Sequence, residues 1–170
     1  FPPFTSAPGY VTNNGYDTST GWGVRVGYQG EFDGFRLGAV YSSKMSMGNF
    51  DKYKGLFAEQ GGFDIPASYG LGAAYTGLPN WIFAFDWVYI DYSGVASINN
   101  PAMTGAPLGA NNGPGFGWES VNVFKFGVEY QLDAAWTLRG GYNYTDDPIN
   151  SANVTFNIIA PGVVENQFTL

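Results

Sequence analysis

The feature that most constrains this chain is a two-residue alternation of apolar and polar side chains that recurs in six segments. In the segment 22–31, for example, Trp22, Val24 and Val26 alternate with glycine and charged residues. Successive side chains of a β-strand point to opposite faces, whereas a helix repeats about every 3.6 residues. The alternation therefore predicts an all-β chain without helices.

Six strands of about ten residues are predicted, and a seventh begins near the end of the chain. Their predicted bounds are 22–31, 35–47, 63–75, 81–92, 122–132, 136–145 and 165–170. The third contains Pro66, which indicates a bulge or an irregular stretch because proline donates no hydrogen bond to a neighbouring strand. About ten residues is also the length with which a tilted strand crosses a bilayer.

The connections between the predicted strands alternate between short and long. The short ones are 32–34, 76–80 and 133–135, and the long ones are 48–62, 93–120 and 146–164. Outer-membrane barrels show this asymmetry, with short periplasmic turns and long extracellular loops. The pattern favours an antiparallel transmembrane β-barrel. A soluble β-sandwich is the alternative, because its strands alternate in the same way.

The composition agrees with a surface that faces lipid. Charged residues make up only 12% of the chain, and aromatic residues make up 18%. Soluble domains carry about twice that share of charge. Tryptophan and tyrosine also concentrate near the predicted strand ends, and such rings favour the membrane–water interface. These residues are Trp22, Tyr28, Tyr41, Tyr75, Trp81, Tyr89, Tyr130, Trp136 and Tyr144.

The composition also excludes several classes of function. The net charge is −7, which leaves no basic surface for nucleic acid. Cysteine and histidine are absent, so disulfides, Cys/His zinc sites and histidine catalysis are excluded. The adjacent Asp146 and Asp147 leave glycosidase chemistry open, although neighbouring loop carboxylates are more often solvated. No catalytic residue, metal or cofactor is predicted. Phe1-Pro2-Pro3 lacks the basic and apolar regions of a signal peptide.

The last third of the chain carries the pattern W-x-x-R-x-G-x-x-Y-x-D-D-P-I from Trp136 to Ile149, preceded by the strand Phe124 to Tyr130. Earlier motifs occur in a matching order: Gly21-Trp22-Gly23, Tyr41-Ser42-Ser43-Lys44, Ile65-Pro66 and Trp87-Val88-Tyr89. Together they resemble the FadL/TodX family of outer-membrane transporters for fatty acids and aromatic hydrocarbons.

The resemblance implies a partial barrel. Members of that family form larger barrels with an N-terminal plug, so this chain is expected to be an interior segment of about 6–7 strands. Residues 1–20 are then a loop or extended lead-in, and residues 21–170 are barrel wall. Seven strands leave two unpaired edges. The expected partners are therefore the remaining strands of the same barrel or other membrane-protein subunits, besides membrane lipid or detergent.

The resemblance also implies a function in the bacterial outer membrane. It implies passive uptake of long-chain fatty acids or other hydrophobic small molecules, with no covalent chemistry. The alternative is a structural or assembly-forming outer-membrane β-protein that has no transport activity of its own.

Two groups of residues are candidate ligand contacts. The charged candidates for the lumen are Arg25, Arg36, Lys44, Asp86, Lys125, Glu129 and Arg139. A cation among them would suit a carboxylate head group. Mutual pairing, which also draws in Glu31 and Asp64, is the favoured alternative because charges in closed interiors are usually paired. The apolar candidates in the long loops are Leu56, Phe57, Met103, Leu108 and Phe116, and loop packing accounts for these equally well.

Overall fold

The computed structural model describes residues 4–170, so Phe1-Pro2-Pro3 lies outside the described residues. The chain forms a seven-stranded antiparallel sheet and a separate pair of two-residue strands. The strands are β1 Gly21–Trp22, β2 Arg25–Phe32, β3 Phe35–Ser42, β4 Ser46–Met47, β5 Ala67–Tyr75, β6 Trp81–Asp91, β7 Val121–Gln131, β8 Thr137–Thr145 and β9 Asn166–Thr169. The large sheet has the order β2-β3-β5-β6-β7-β8-β9, so each strand pairs with the next one along the chain. The predicted antiparallel all-β fold is confirmed.

The helical segments are short and lie in the long connections. They are α1 Ala58–Gly61 and α2 Ala96–Asn99, with 3₁₀ turns at Asp51–Tyr53, Tyr92–Gly94 and Phe156–Ile159. Inside α1 the residues Glu59 and Gln60 both have a φ of 56°, so this segment is an irregular turn. The sequence predicts no helix, and α2 corrects that expectation: it fills a loop whose composition carries no helical periodicity. Within residues 4–170, every helix is too short or too polar to cross a membrane.

The first three predicted strands differ from the observed ones. The first predicted strand is interrupted between β1 and β2, and the second is interrupted between β3 and β4. These two interruptions lie opposite each other. There, the Val24 amide donates to Ser43 Oγ at 2.9 Å instead of to a ladder carbonyl. The third strand begins at Ala67 and not at residue 63, because Pro66 before it has no N–H to donate. Only an isolated bridge between Met45 and Ile65 continues the pairing beyond that point.

The first hairpin of the large sheet shows how the sequence sets the register. Asp33 and Gly34 have φ values of 43° and 84°, and they are the only two residues between β2 and β3. Positive φ at both central positions suits the twist of a two-residue hairpin, and Asp-Gly favours it. The register then places Phe32 opposite Phe35 and Tyr28 opposite Ala39.

The sheet has two chemically different faces. The aromatic face carries one set of alternate positions, including Leu37, Tyr75, Phe83, Phe85, Phe126 and Tyr142. The polar face carries the other set, including Arg25, Gln29, Arg36, Asp86, Lys125, Asn143 and Arg139. Side chains touch across strands on the aromatic face: the Phe85 and Phe126 ring centroids are 4.9 Å apart, and those of Trp81 and Tyr130 are 4.4 Å apart. Such pairs stabilise neighbouring strands and fix their register.

Apart from Val121 at the start of β7, which is 2% exposed, the buried apolar side chains lie in the long connections and not in the sheet. Val95 and Ile98 are 2% and 7% exposed, and Ile149 is 9% exposed. By contrast, Tyr28 and Phe126 in the strands are 70% and 51% exposed. The long connections therefore pack against each other into a cap at one end of the sheet, the loop end. The other end, where the short turns lie, is the turn end.

Asn157 holds the cap together. Its Oδ1 accepts a hydrogen bond from Trp118 Nε1 at 2.7 Å, and its Nδ2 donates to the carbonyl oxygens of Phe116 at 2.7 Å and Asn153 at 2.9 Å. The Asn157 side chain is buried, so water cannot readily replace it as the hydrogen-bond partner of Trp118 or of the loop carbonyls. A buried donor or acceptor that loses its partner costs about 1–3 kcal/mol.

We expect Asn157→Ala to loosen the cap while leaving the strands paired. The Trp118 indole N–H and the Phe116 carbonyl would lose their partner, at a cost of about 1–3 kcal/mol, and the Asn153 carbonyl would keep only the backbone N–H of residue 157. Hydrogen exchange of the amides in residues 146–165 should accelerate, and exchange in β6 and β7 should not change. The exposed Asn112→Ala is the matched control. Equal exchange in the two variants would show that Asn157 does not hold the cap.

Candidate functional site

Five of the predicted lumen residues are cations: Arg25, Arg36, Lys44, Lys125 and Arg139. Three of them pair with carboxylates. Arg36 Nε lies 2.6 Å from Glu31 Oε1, and Arg139 Nε lies 2.7 Å from Glu129 Oε2. Both of these pairs lie near the turn end. At the loop end, Lys44 Nζ lies 3.0 Å from Asp64 Oδ2 and also donates to the Gly94 carbonyl oxygen at 3.2 Å.

Lys125 and Arg25 differ from the other cations. Among residues 4–170, neither has a carboxylate oxygen within 4.0 Å of its charged nitrogens. Lys125 lies in the middle of β7, and its neighbours in the sheet register are Asp86 on β6 and Asn143 on β8. Asn143 Oδ1 is buried and, among the described residues, has no hydrogen-bond partner. The centre of the polar face thus keeps an exposed cation that is available to a further molecule, whereas the unpaired Asn143 acceptor is closed off from solvent.

A groove lies on the loop-end side of this centre. It has a volume of about 430 Å³ and is lined on the polar face by Val40, Val88, Asp86 and Lys125. Its floor is backbone, because Gly27, Gly38, Gly70 and Gly72 line it where side chains would otherwise project. Gly38 and Gly72 face each other directly across β3 and β5. We call this depression the upper groove.

A second groove lies on the turn-end side. Its volume is about 520 Å³, and its polar-face lining includes Ile82, Ala84, Gly127 and Gly141. The Glu129–Arg139 ion pair also borders it. We call this depression the lower groove. It is separated from the upper groove by the row that contains Asp86, Lys125 and Asn143.

The aromatic face has a larger depression of about 600 Å³, lined by side chains such as Phe35, Phe83, Phe85, Phe126 and Tyr142. Its polar groups are almost absent, and small residues such as Ala73 and Gly140 form its floor. A surface of this kind matches the acyl chains of a bilayer better than a soluble ligand. The size of this depression therefore does not make it the functional site.

The loop candidates fall into separate places. Phe57 packs between Phe50 and Phe63, with ring centroids 6.0 and 5.3 Å away. Phe116 packs against Trp118 at 6.3 Å and Phe156 at 5.9 Å.

The remaining apolar loop candidates differ in exposure. Leu56 and Leu108 are partly buried, and Leu108 forms a backbone bridge with Thr5. Met103 is 90% exposed. The five loop candidates therefore do not form one pocket. Tyr92 packs against Trp118, which also contacts Phe116. Burial there raises the pKa of the Tyr92 hydroxyl above its usual value.

Comparison with known proteins identifies the family. The family model described as outer membrane protein transport protein (OMPP1/FadL/TodX) matches residues 6–160. The chain belongs to this family. No match was found among curated proteins. The FadL/TodX family is one of outer-membrane transport proteins, so the expected localisation, the expected family and the expectation of a non-enzyme are confirmed.

Two solved structures share the fold of this FadL/TodX chain. The toluene transporter TodX of Pseudomonas putida matches with a TM-score of 0.58 and 22% identity, over 88% of this chain and 39% of that one. A TodX deltaS2S3 mutant, described as a monoaromatic hydrocarbon channel, matches with a TM-score of 0.61 and 21% identity, over 93% of this chain and 42% of that one. The chain thus spans about two fifths of the length of these barrels.

Membership of the FadL/TodX family assigns the two faces of the sheet. An outer-membrane barrel presents apolar and aromatic side chains to lipid and polar ones to its interior, because a charge at the bilayer midplane costs about 2–4 kcal/mol. The aromatic face is therefore the outer surface, and the polar face with its two grooves lines the interior. The loop end is extracellular, and the turn end is periplasmic.

The sequence pattern alone did not single out several residues of the polar face in and beside the grooves. In the sequence, Gln29 and Asn143 are uncharged polar residues like many others, and Gly38 and Gly72 resemble the other strand glycines. Their importance depends on the register, which places them in one row with Asp86 and Lys125. The length of each connection fixes the register, and the register is the signal that identifies this row.

Proposed function

We propose that the protein lets hydrophobic small molecules cross the outer membrane passively, and that the upper groove is part of their path. The observation that carries this proposal is a backbone floor of four glycines flanked by Val40 and Val88, on the interior face of a FadL/TodX barrel wall. Polar side chains, Gln29, Asp86 and Lys125, line the turn-end border of the same groove. Such a groove accepts a slender or flat apolar molecule without displacing side chains, and its valines favour a hydrophobic ligand over water.

The long loops supply a plausible first contact from the outside. Phe57 and Phe116 each belong to an aromatic cluster at the extracellular end, and Met103 extends its apolar side chain into solvent. Side chains of this kind bind hydrophobic molecules weakly and with little selectivity. We propose that they collect the ligand and that the upper groove then receives it.

Two ligand classes fit the proposal. TodX is described as a toluene transporter and as a monoaromatic hydrocarbon channel, which supports small aromatic hydrocarbons. Long-chain fatty acids are the second class, because Lys125 lines the border of the upper groove beside Asp86 and has no carboxylate oxygen within 4.0 Å among residues 4–170. An ammonium that contacts a carboxylate forms a charge-assisted hydrogen bond. Arg36, Arg139 and Lys44 suit that role less well because glutamates or an aspartate already pair with them.

The experiment that tests the function fills the upper groove. A Cβ at Gly38 would have no atom closer than 3.7 Å, so Gly38→Leu is accommodated by the fold and places its side chain in the groove. We expect uptake of toluene and oleate by cells or proteoliposomes to fall about tenfold or more, because a four-carbon side chain fills an apolar site in which even one methylene changes selectivity by about tenfold or more.

The neighbouring Ala39→Leu is the matched control, since residue 39 lies on the aromatic face and the same side chain would meet lipid. Its uptake should equal that of the unmodified protein. If both variants transport normally, the upper groove is not the path. If the unmodified protein moves neither compound, the structural role without transport replaces the proposed one.

Lys125→Met separates the two ligand classes. The change removes the cation but keeps a similar length and shape, so uptake of oleate should fall while uptake of toluene should not. The loss of one charge-assisted hydrogen bond, about 1.5–3 kcal/mol, corresponds to roughly tenfold or more. Arg36→Met is the comparison, because its partner Glu31 already neutralises the cation. Equal transport of both compounds by Lys125→Met would exclude a role for this lysine in head-group binding.

A further inference from the structure

The polar face is divided into rows by the sheet register, and one row differs from those around it. It runs across all seven strands of the large sheet from one strand to its neighbour. Its members are Gln29, Gly38, Gly72, Asp86, Lys125, Asn143 and Gln167. Five of these seven positions are polar, and the other two are the facing glycines in the floor of the upper groove.

The adjoining rows are less polar at the centre of the sheet. On the loop-end side, the next row contains Val40, Val88 and Val123. On the turn-end side, the next row contains Ala74, Ala84 and Gly127 at its centre and the Glu31–Arg36 ion pair at its β2 end. The polar row itself forms the turn-end border of the upper groove, and the row beyond it lines the lower groove.

The members of the polar row keep a demand for water or for a polar partner. Asp86 and Lys125 are exposed, and no ion pair joins them, although they are neighbours in the register. A hydrocarbon that slides over this row would strip water from the charges of Asp86 and Lys125, which is unfavourable.

We infer that the polar row is a selectivity barrier, which retains purely apolar ligands in the upper groove and keeps them out of the lower groove. This inference rests on the proposed function and adds where along the wall an apolar ligand stops. Asp86 and Lys125 are the determining residues, because they carry the charges of the row. A polar end group can reach the row from above, whereas an apolar body has no favourable contact with it.

Strand β6 offers evenly spaced positions on the polar face at which the inference can be tested. Ile90, Val88, Asp86, Ala84 and Ile82 follow one another along its polar face, at steps of about 6.6 Å. Val88 lines the upper groove and Ala84 lines the lower one, one step on either side of Asp86. The 170-residue sequence contains no cysteine, so a thiol placed at either position is the only one in this sequence.

The experiment measures protection of these thiols by toluene. Val88→Cys and Ala84→Cys are made separately in the native protein, extracted in detergent, and reacted with a small charged methanethiosulfonate. The unmodified protein is treated in the same way and shows whether the reagent reacts at any other position. Toluene at about ten times its dissociation constant should slow the reaction of Val88→Cys roughly tenfold, because about nine tenths of the sites are then filled. The reaction of Ala84→Cys should not change.

The outcomes separate the inference from the proposed function. Protection at both positions would overturn the barrier and leave the proposed function intact. Protection at neither would contradict both, because toluene would not occupy the upper groove at all.

Removal of the charges then tests the determining residues. In Ala84→Cys combined with Asp86→Leu and Lys125→Met, toluene should now protect the thiol. Heat-dependent mobility on a gel identifies variants that have kept their barrel. A folded triple variant whose thiol is still not protected would show that Asp86 and Lys125 do not form the barrier.

Discussion

Every feature of this chain depends on the need to pair backbone hydrogen-bonding groups where no water is available. In a bilayer interior each unpaired N–H or C=O costs several kcal/mol, so only helices and closed sheets can cross. The chain meets that requirement with seven strands whose registers are continuous from Arg25 to Thr169, each strand bonded to the next. The free edges of β2 and β9 require further strands in a membrane. Once strands must lie in lipid, alternation of side chains separates an aromatic exterior from a polar interior.

This constraint also explains why the buried core lies outside the sheet. The strands meet lipid on one face and the barrel interior on the other, so their aromatic side chains stay exposed in the isolated wall. The long connections project beyond the bilayer and must bury their own apolar groups. Val95, Ile98 and Ile149 do so, and the buried amides of Asn153 and Asn157 satisfy the loop backbone around them. The cap is therefore the part of the molecule with the chemistry of an ordinary globular protein.

Much of the architecture could be predicted from the sequence because its signals are local. Alternation predicted the faces, the short connection 32–34 predicted a tight turn, and the unequal connections predicted a barrel with two different ends. What remained unpredicted depends on contacts between distant residues. The interruption near Val24 and Ser43 needs both strands to deviate together, and the cap depends on side chains such as Trp118 and Asn157, which lie 39 positions apart.

The candidate site shows the same division. The charged positions of the polar face followed from alternation, and the suggested pairing of most cations agrees with the three ion pairs at Arg36, Lys44 and Arg139. The sequence could not distinguish Lys125 from these residues, because its lack of a carboxylate partner depends on side-chain placement. Nor could it show that Gly38 faces Gly72, which creates the floor of the upper groove.

The central claim is that the aromatic face meets lipid and the polar face lines the interior. Spin labels on single cysteines at successive positions 82–89 of β6 test it directly, in native protein reconstituted into bilayers. Collision rates with oxygen, which concentrates in lipid, and with a water-soluble nickel complex are compared at each position. Labels at Phe83, Phe85, Trp87 and Tyr89 should favour oxygen, and labels at the positions between them should favour nickel. The opposite phase, or no alternation along the strand, would contradict it.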